Sequence, residues 1–237
     1  MSVTNSISRV AEYLKRHGIA ATFRRAGLAA KRALFAAGMV VFYCDLDEKK
    51  LRPVSIPKNF SIERISALAE LSMERRQQIT SFWNPKLADR NIRERFERGA
   101  SLWLLECDGC VAGYGWTLRG AAIEPYYFPL APDDVQLFDF YVHPRFRGRA
   151  LHWLLTGHIL RALAIEGGSR AFADTGEWNQ AQLASFKLTP LRPLGTVRTY
   201  TVFGRKLTRW SNGDAVVPRR NDKPLRQRGI ETLRPNE

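Results

Sequence analysis

Long apolar runs are the first thing this 237-residue chain lacks. None approaches the roughly 20 residues of a membrane-crossing helix, and no cleavable signal peptide opens the sequence, so neither a span nor export is expected. Cysteine is scarce as well. Cys44, Cys107 and Cys110 cannot all pair within one chain, which fits a reducing cytoplasm. Cys107-x-x-Cys110 has the spacing of a redox or metal pair, but Asp108-Gly109 at its centre reads as a hairpin turn. No second pair completes the four ligands of a structural zinc site, and His143, His152 and His158 form no zinc triad, so no metal is expected. Acidic residues are outnumbered, 23 against 37 Lys and Arg, for a net charge of +14. Such an excess attracts a polyanion: a nucleotide diphosphate, a membrane surface or nucleic acid. No helix-turn-helix, zinc-finger or aromatic RNA-binding signature accompanies the charge, so nucleic acid is not expected. Internal repeats are absent too.

What is present is 45% hydrophobic residues, enough for one core of roughly 150 residues with extensions. From Ser8 to Ala37, apolar residues recur at three- and four-residue steps while Arg16, Arg24, Arg25, Lys31 and Arg32 share the other side of the wheel. That pattern predicts a basic amphipathic helix in an N-terminal extension, residues 1–50. Such a helix either packs on the main domain or lies on an anionic membrane face, the inner one for a cytoplasmic protein. The main domain is expected over 51–208. Helical periodicity occupies Ser66 to Trp83 and Asn91 to Arg98, and two alternating runs flank the Asp108-Gly109 turn. Strands follow at Val135 to Val142, Ala171 to Asp174 and Val197 to Phe203, with helices at Leu151 to Glu166 and Gln180 to Leu188. The order is mixed α/β. Residues 209–237 carry few large apolar side chains and read as a flexible basic tail.

The most informative segment is Leu137-Phe-Asp-Phe-Tyr-Val-His-Pro-Arg-Phe-Arg-Gly-Arg-Ala-Leu-His-Trp-Leu-Leu155. An apolar strand stops at proline, and a basic turn containing glycine opens a helix. Helix N-terminal N–H groups carry partial positive charge, glycine admits close approach, and Arg145, Arg147 and Arg149 add charge-assisted bonds, all suited to a diphosphate. An ordinary strand-to-helix turn with solvated arginines would read similarly.

Val142-His-Pro-Arg145-Phe-Arg147-Gly148-Arg-Ala150 resembles the signature of the GNAT acetyltransferases, V-x-P followed by Arg/Gln-x-x-Gly-x-Gly/Ala. Glu106 to Trp116 resembles that family's central hairpin, and Asn179 with Ser185-Phe-Lys-Leu188 its second motif, so the resemblance covers roughly residues 60–205. It implies a mixed, mostly antiparallel sheet of six or seven strands flanked by helices, and acetyl-CoA or another acyl-CoA as co-substrate. It further implies that the backbone of Phe140, Tyr141 and Val142 holds the pantetheine arm, and that Arg145, Phe146, Arg147, Gly148, Arg149 and Ala150 hold the diphosphate. Asn179 is implicated at the coenzyme, though a helix cap explains it equally. The long extension and Gly113-Tyr-Gly-Trp116 resemble GNAT proteins of bacterial surface-polysaccharide pathways.

The second motif departs from the pattern. Thr189-Pro190 stands where Gly-Phe is usual, and Ser185 stands where many members place the tyrosine that protonates the leaving thiolate. Serine is a poor acid. Candidate bases are Asp139, Tyr126, Tyr127 and Glu177. Strict alternation would put Asp139 with Leu137 and Tyr141 on one strand face, a carboxylate among apolar neighbours, either a base or merely an arginine's partner. Trp83, Trp103, Trp116, Tyr126 and Tyr127 form either an aromatic wall for a small-molecule, sugar or peptide amine, or core. Two functions remain in view: direct acyl transfer from coenzyme A to a primary amine, or a non-catalytic module of the same fold docking on a membrane or other polyanion. A homodimer is one arrangement left open.

Overall fold

A computed structural model describes residues 38–81, 85–123, 126–202 and 205–211. The expected helix over 8–37, Trp83 and the segment beyond 211 lie outside the described residues. The described chain forms eight strands: β1 (Met39–Asp45), β2 (Phe60–Ile65), β3 (Ser101–Cys107), β4 (Cys110–Arg119), β5 (Asp134–Val142), β6 (Arg170–Gly176), β7 (Arg192–Val202) and β8 (Arg205–Ser211). The α-helices are α1 (Met73–Thr80), α2 (Pro85–Glu97), α3 (Leu151–Ile165) and α4 (Gln180–Phe186). The strands make one sheet in the order β2-β3-β4-β5-β6-β1-β7-β8, antiparallel except between β5 and β6.

The sheet has eight strands where six or seven were expected, and it is mostly antiparallel as expected. β1 and β8 straddle the sequence-based boundaries. β1 lies inside the sheet between β6 and β7, although its residues fall within the expected extension 1–50, and β8 runs to Ser211, past the expected start of the tail at 209. Polar β8 gave little apolar signal because it is an edge strand paired only with β7.

The β3–β4 turn follows its sequence: Asp108 and Gly109 both take positive φ, 49° and 75°, the pair that a two-residue hairpin demands. It brings Cys107 opposite Cys110, both free thiols. Each sheet face buries its own core. On one face, α3 packs Leu151, Leu154, Leu155, Ile159 and Leu160 on Leu105, Val135, Leu137 and Ala173, joined by Phe186 of α4. On the other, α1 and α2 cover Leu102, Leu104 and Trp116, and residues 126–130 cover Val41, Tyr43 and Phe172. Trp103 and Trp116 are both buried, one in the core of each face, so neither belongs to an aromatic wall at a cleft.

A candidate coenzyme cleft where two parallel strands part

β5 and β6 are in register from Asp134↔Arg170 to Leu137↔Ala173 and then part. Beyond that point β5 stays paired with β4 as far as Val142↔Gly113, and β6 stays paired with β1 as far as Gly176↔Met39. The edges of Phe138–Val142 and Asp174–Gly176 that face each other thus have no ladder partner in one another. An extended ligand with amides of its own can satisfy such edges.

The parting coincides with a β-bulge. Between Trp116↔Phe138 and Tyr114↔Tyr141, β5 has two residues where β4 has one, and the extra residue, Asp139, takes φ 49° opposite Gly115. The bulge breaks the expected alternation. Val135 and Leu137 face α3, and after the bulge it is Phe140 and Val142 that face α3, while Tyr141 joins Phe138 on the opposite face. Asp139 itself is not a carboxylate among apolar neighbours: it is exposed and ion-paired with Arg95 Nη1 of α2. Arg95 in turn lies over the rings of Trp116 and Phe138, at 5.1 and 5.4 Å.

At the mouth of the fork the chain turns through Pro144–Phe146 into α3. His143 Nδ1 accepts from the Arg145 N–H, and Phe146 is buried in the α3 core, pinning the turn. Arg145 and Arg149 lie over the Phe146 ring, at 4.5 and 5.8 Å. Arg147 Nε donates to the Val142 carbonyl at 3.1 Å, so this arginine braces the turn and that carbonyl is already engaged. Gly148 has φ 78°, and a Cβ there would meet nothing within 4 Å. Ala150, at φ 55°, begins α3 without a side-chain cap. The first N–H groups of a 15-residue helix therefore look outward between arginines, the electrostatics that an anion requires.

The α3 side of the fork carries a pair of which sequence reasoning supplied one half. Ser185 Oγ lies 2.9 Å from His152 Nδ1, and the imidazole sits between the rings of Phe140 and Phe186, at 5.2 and 5.3 Å. Burial pushes the His152 pKa down to about 4, so the ring is neutral at pH 7. Its Nε2 is buried with no hydrogen-bond partner among the described residues. Asn179 caps α4, its Oδ1 accepting from Gln182 N at 3.2 Å, and its Nδ2 donates to Gln182 Oε1, which also accepts from Thr175 of β6. Ser185 of α4 thus meets His152 of α3 beside Phe140 of β5, and Tyr141, Val142 and the 145–150 turn continue the chain from Phe140 to α3. Glu177 sits just past the end of β6, half-buried and accepting from Arg198 Nη2 at 3.3 Å.

The opposite side of the fork holds residues that sequence reasoning passed over or only named. Alternation along β6 puts Thr175 toward α4 and Asp174 on the Phe172 face, one residue past the last pair. Tyr127 Oη donates to Asp174 Oδ2 at 3.1 Å. Tyr126 packs against Tyr127, Phe128 and Phe172, and its hydroxyl is buried with no partner among the described residues. Burial, with the nearby Asp174 charge, raises the Tyr126 pKa well above 10, which keeps it protonated and unfit as a base. An open pocket of about 420 Å³ adjoins it, lined by Ile123, Tyr126, Phe128, Leu130 and Arg98 among others. No group of three or more metal-ligating side chains occurs among the described residues, and no described helix is long and apolar enough to cross a membrane.

Comparison with known proteins gives three results. A model of the acetyltransferase (GNAT) family matches residues 65–188, just over half of the chain. No curated protein matches the sequence. Among solved structures, a tandem GNAT protein from the clavulanic acid biosynthesis pathway is 18% identical at TM-score 0.49, the match covering 70% of this chain and 55% of that one. A GNAT-family acetyltransferase from Colwellia psychrerythraea is 13% identical at TM-score 0.49, covering 66% and 53%. A GNAT-family protein from Novosphingobium aromaticivorans is 14% identical at TM-score 0.44, covering 66% and 60%. The matches span little more than half the length of these solved chains.

Proposed function

Since the chain belongs to the GNAT family of acetyltransferases, whose co-substrate is acetyl-CoA, we propose that it transfers an acyl group, acetyl in the first instance, from coenzyme A to a primary amine by direct attack. The observation that carries this reading is the fork between β5 and β6, whose mouth opens on the uncapped start of α3. The open space at Gly148, the outward N–H groups and the flanking Arg145 and Arg149 suit a diphosphate. The unpaired edge of Phe140 and Tyr141 suits the amides of the pantetheine arm. Val142 offers less, because Arg147 already takes its carbonyl.

Catalysis here is a matter of positioning and polarisation. Backbone N–H groups of the opened β5 edge are fixed donors for the thioester carbonyl as it gains negative charge. On the α3 side, Ser185 is hydrogen-bonded to neutral His152. In the Nδ1–H tautomer of His152 the Ser185 oxygen accepts and its own proton is directed elsewhere, and the leaving thiolate is the group in this cleft that would take that bond. Such a pair offers the thiolate a hydrogen bond where a tyrosine would offer a proton. Asn179, as the α4 cap, keeps that helix at the fork.

The experiment is thiol release from acetyl-CoA in the presence of a panel of primary amines, with the amide product identified by mass. Amine-dependent release with a matching amide supports the proposal. Tight acetyl-CoA binding without transfer to any amine would favour the non-catalytic module.

A further inference from the structure

Resting on the reading of the fork as an acyl-transfer cleft, we infer that Arg98 receives an anionic group of the acceptor, so that the acceptors are primary amines bearing a carboxylate or a phosphate. The coenzyme's expected contacts lie at the mouth of the fork and on its α3 side, which leaves the opposite sheet face to the acceptor. The pocket of about 420 Å³ is on that face, since Ile123 packs with the core beneath α1 and α2, and Tyr126, Phe128 and Leu130 pack over Phe172. Its walls stand at the foot of the fork. Ile123 N donates to Gln136 Oε1 at 3.1 Å, and the rings of Tyr126 and Phe128 meet that of Phe172, at 6.5 and 5.1 Å. Gln136 and Phe172 are partners in the last pair but one before β5 and β6 part. A molecule seated there has only one or two residues of strand to span, roughly 3–7 Å, to bring its amine to the opened edge.

Arg98 is the one charged residue lining the pocket among the described residues, and its charge is not compensated there. The arginines within α2 each have a carboxylate: Arg90 has Glu94 at 3.6 Å, Arg93 has Asp89 at 3.2 Å, and Arg95 has Asp139. Arg98, directly after α2, has none among the described residues. Its Nη1 donates to the Ile123 carbonyl, which holds the guanidinium at the pocket. Its Nε and Nη2 have no partner among the described residues, and these two N–H groups make the edge that grips a carboxylate or phosphate at two points. The side chain is exposed, so an anion can reach it. A neutral acceptor would gain nothing from this charge, and one with a second cationic group beside it would be repelled. Ile123, Phe128 and Leu130 offer apolar contact to the stretch between anion and amine.

The test uses the full chain with acetyl-CoA and matched amines that differ by the anion: phenylalanine against phenethylamine for the carboxylate, and O-phosphoethanolamine against ethanolamine for the phosphate. The variants are R98A, R98K and R98E, each checked for its fold by circular dichroism. The expected result is that the anionic member of a pair has a kcat/KM at least about 10-fold above its neutral partner, and the pair that shows it tells carboxylate from phosphate. R98A brings that ratio to about one, chiefly by raising the KM of the anionic amine, because a contact remote from the reacting carbonyl contributes uniform binding. R98K retains part of the preference and R98E reverses it, while acetyl-CoA affinity, read by calorimetry, stays as in the wild type. The inference is overturned if the neutral amine of each pair is the equal or better substrate, if R98A leaves the preference intact, or if no amine in the panel is acetylated although acetyl-CoA binds. Absence of acetyl-CoA binding in the wild type removes the parent reading as well, which separates the two failures.

Discussion

The lower and upper halves of the β5–β6 pair are the same two strands doing opposite things. In the lower half, four residue pairs are in register, and Asp134 and Arg170 meet as a buried bidentate pair at 2.9 and 2.8 Å, with the Asp134 carboxylate also accepting from Ala131 N. In the upper half the ladder is gone, Asp139 is exposed in a left-handed conformation, and Phe140 to Val142 are half-buried. A single inserted residue marks the change. The contrast shows how a sheet opens an edge without a hole in its core: one strand bulges away, and its edge is left without a neighbour where the coenzyme is proposed to bind.

Breaking the lower half should have the largest effect. Arg170→Ala strands the buried Asp134 carboxylate and is expected to cost about 3–5 kcal/mol in urea unfolding. Next comes acid. His152 has a folded pKa of about 4 against an ordinary 6.5, so the unfolded chain takes up its proton first as pH falls. The stability that neutral His152 permits is intact above pH 6.5 and is lost progressively down to about pH 4, by about 3 kcal/mol. His152→Gln should remove that part of the acid sensitivity, measured as unfolding midpoint against pH. A smaller effect sharpens the upper half. In Gly113→Ala the new Cβ would fall 2.7 Å from the Tyr141 carbonyl, backbone that cannot yield cheaply, so a loss of about 1–3 kcal/mol is expected together with weaker acetyl-CoA binding. Least of all, Asp139→Asn loses a surface ion pair and should change stability by less than about 1 kcal/mol in the same unfolding assay.

The contrast also explains what could be read in advance. The lower half, α3 and the anion turn were legible because apolar periodicity and the Pro-x-x-x-Gly punctuation report burial and backbone shape directly. The Asp108-Gly109 hairpin was legible for the same reason. The bulge was not: Asp139 adopts its left-handed conformation without a glycine to announce it, and a strict two-residue period assigned Phe140 and Tyr141 to the wrong faces. His152 read as an ordinary helix residue until α4 brought Ser185 within hydrogen-bonding distance. Of the two readings open for Trp103 and Trp116, wall or core, the structure gives core, a choice that aromatic composition alone does not make.

The central claim is that the fork and its arginine-flanked turn hold coenzyme A. Calorimetric titration of the full chain with acetyl-CoA, beside a Gly148→Asp variant checked for its fold by circular dichroism, tests it most directly. The account predicts micromolar binding that the folded variant loses, since its carboxylate would stand in the open space at Gly148. Undiminished binding by the variant, or none by the wild type, would contradict it.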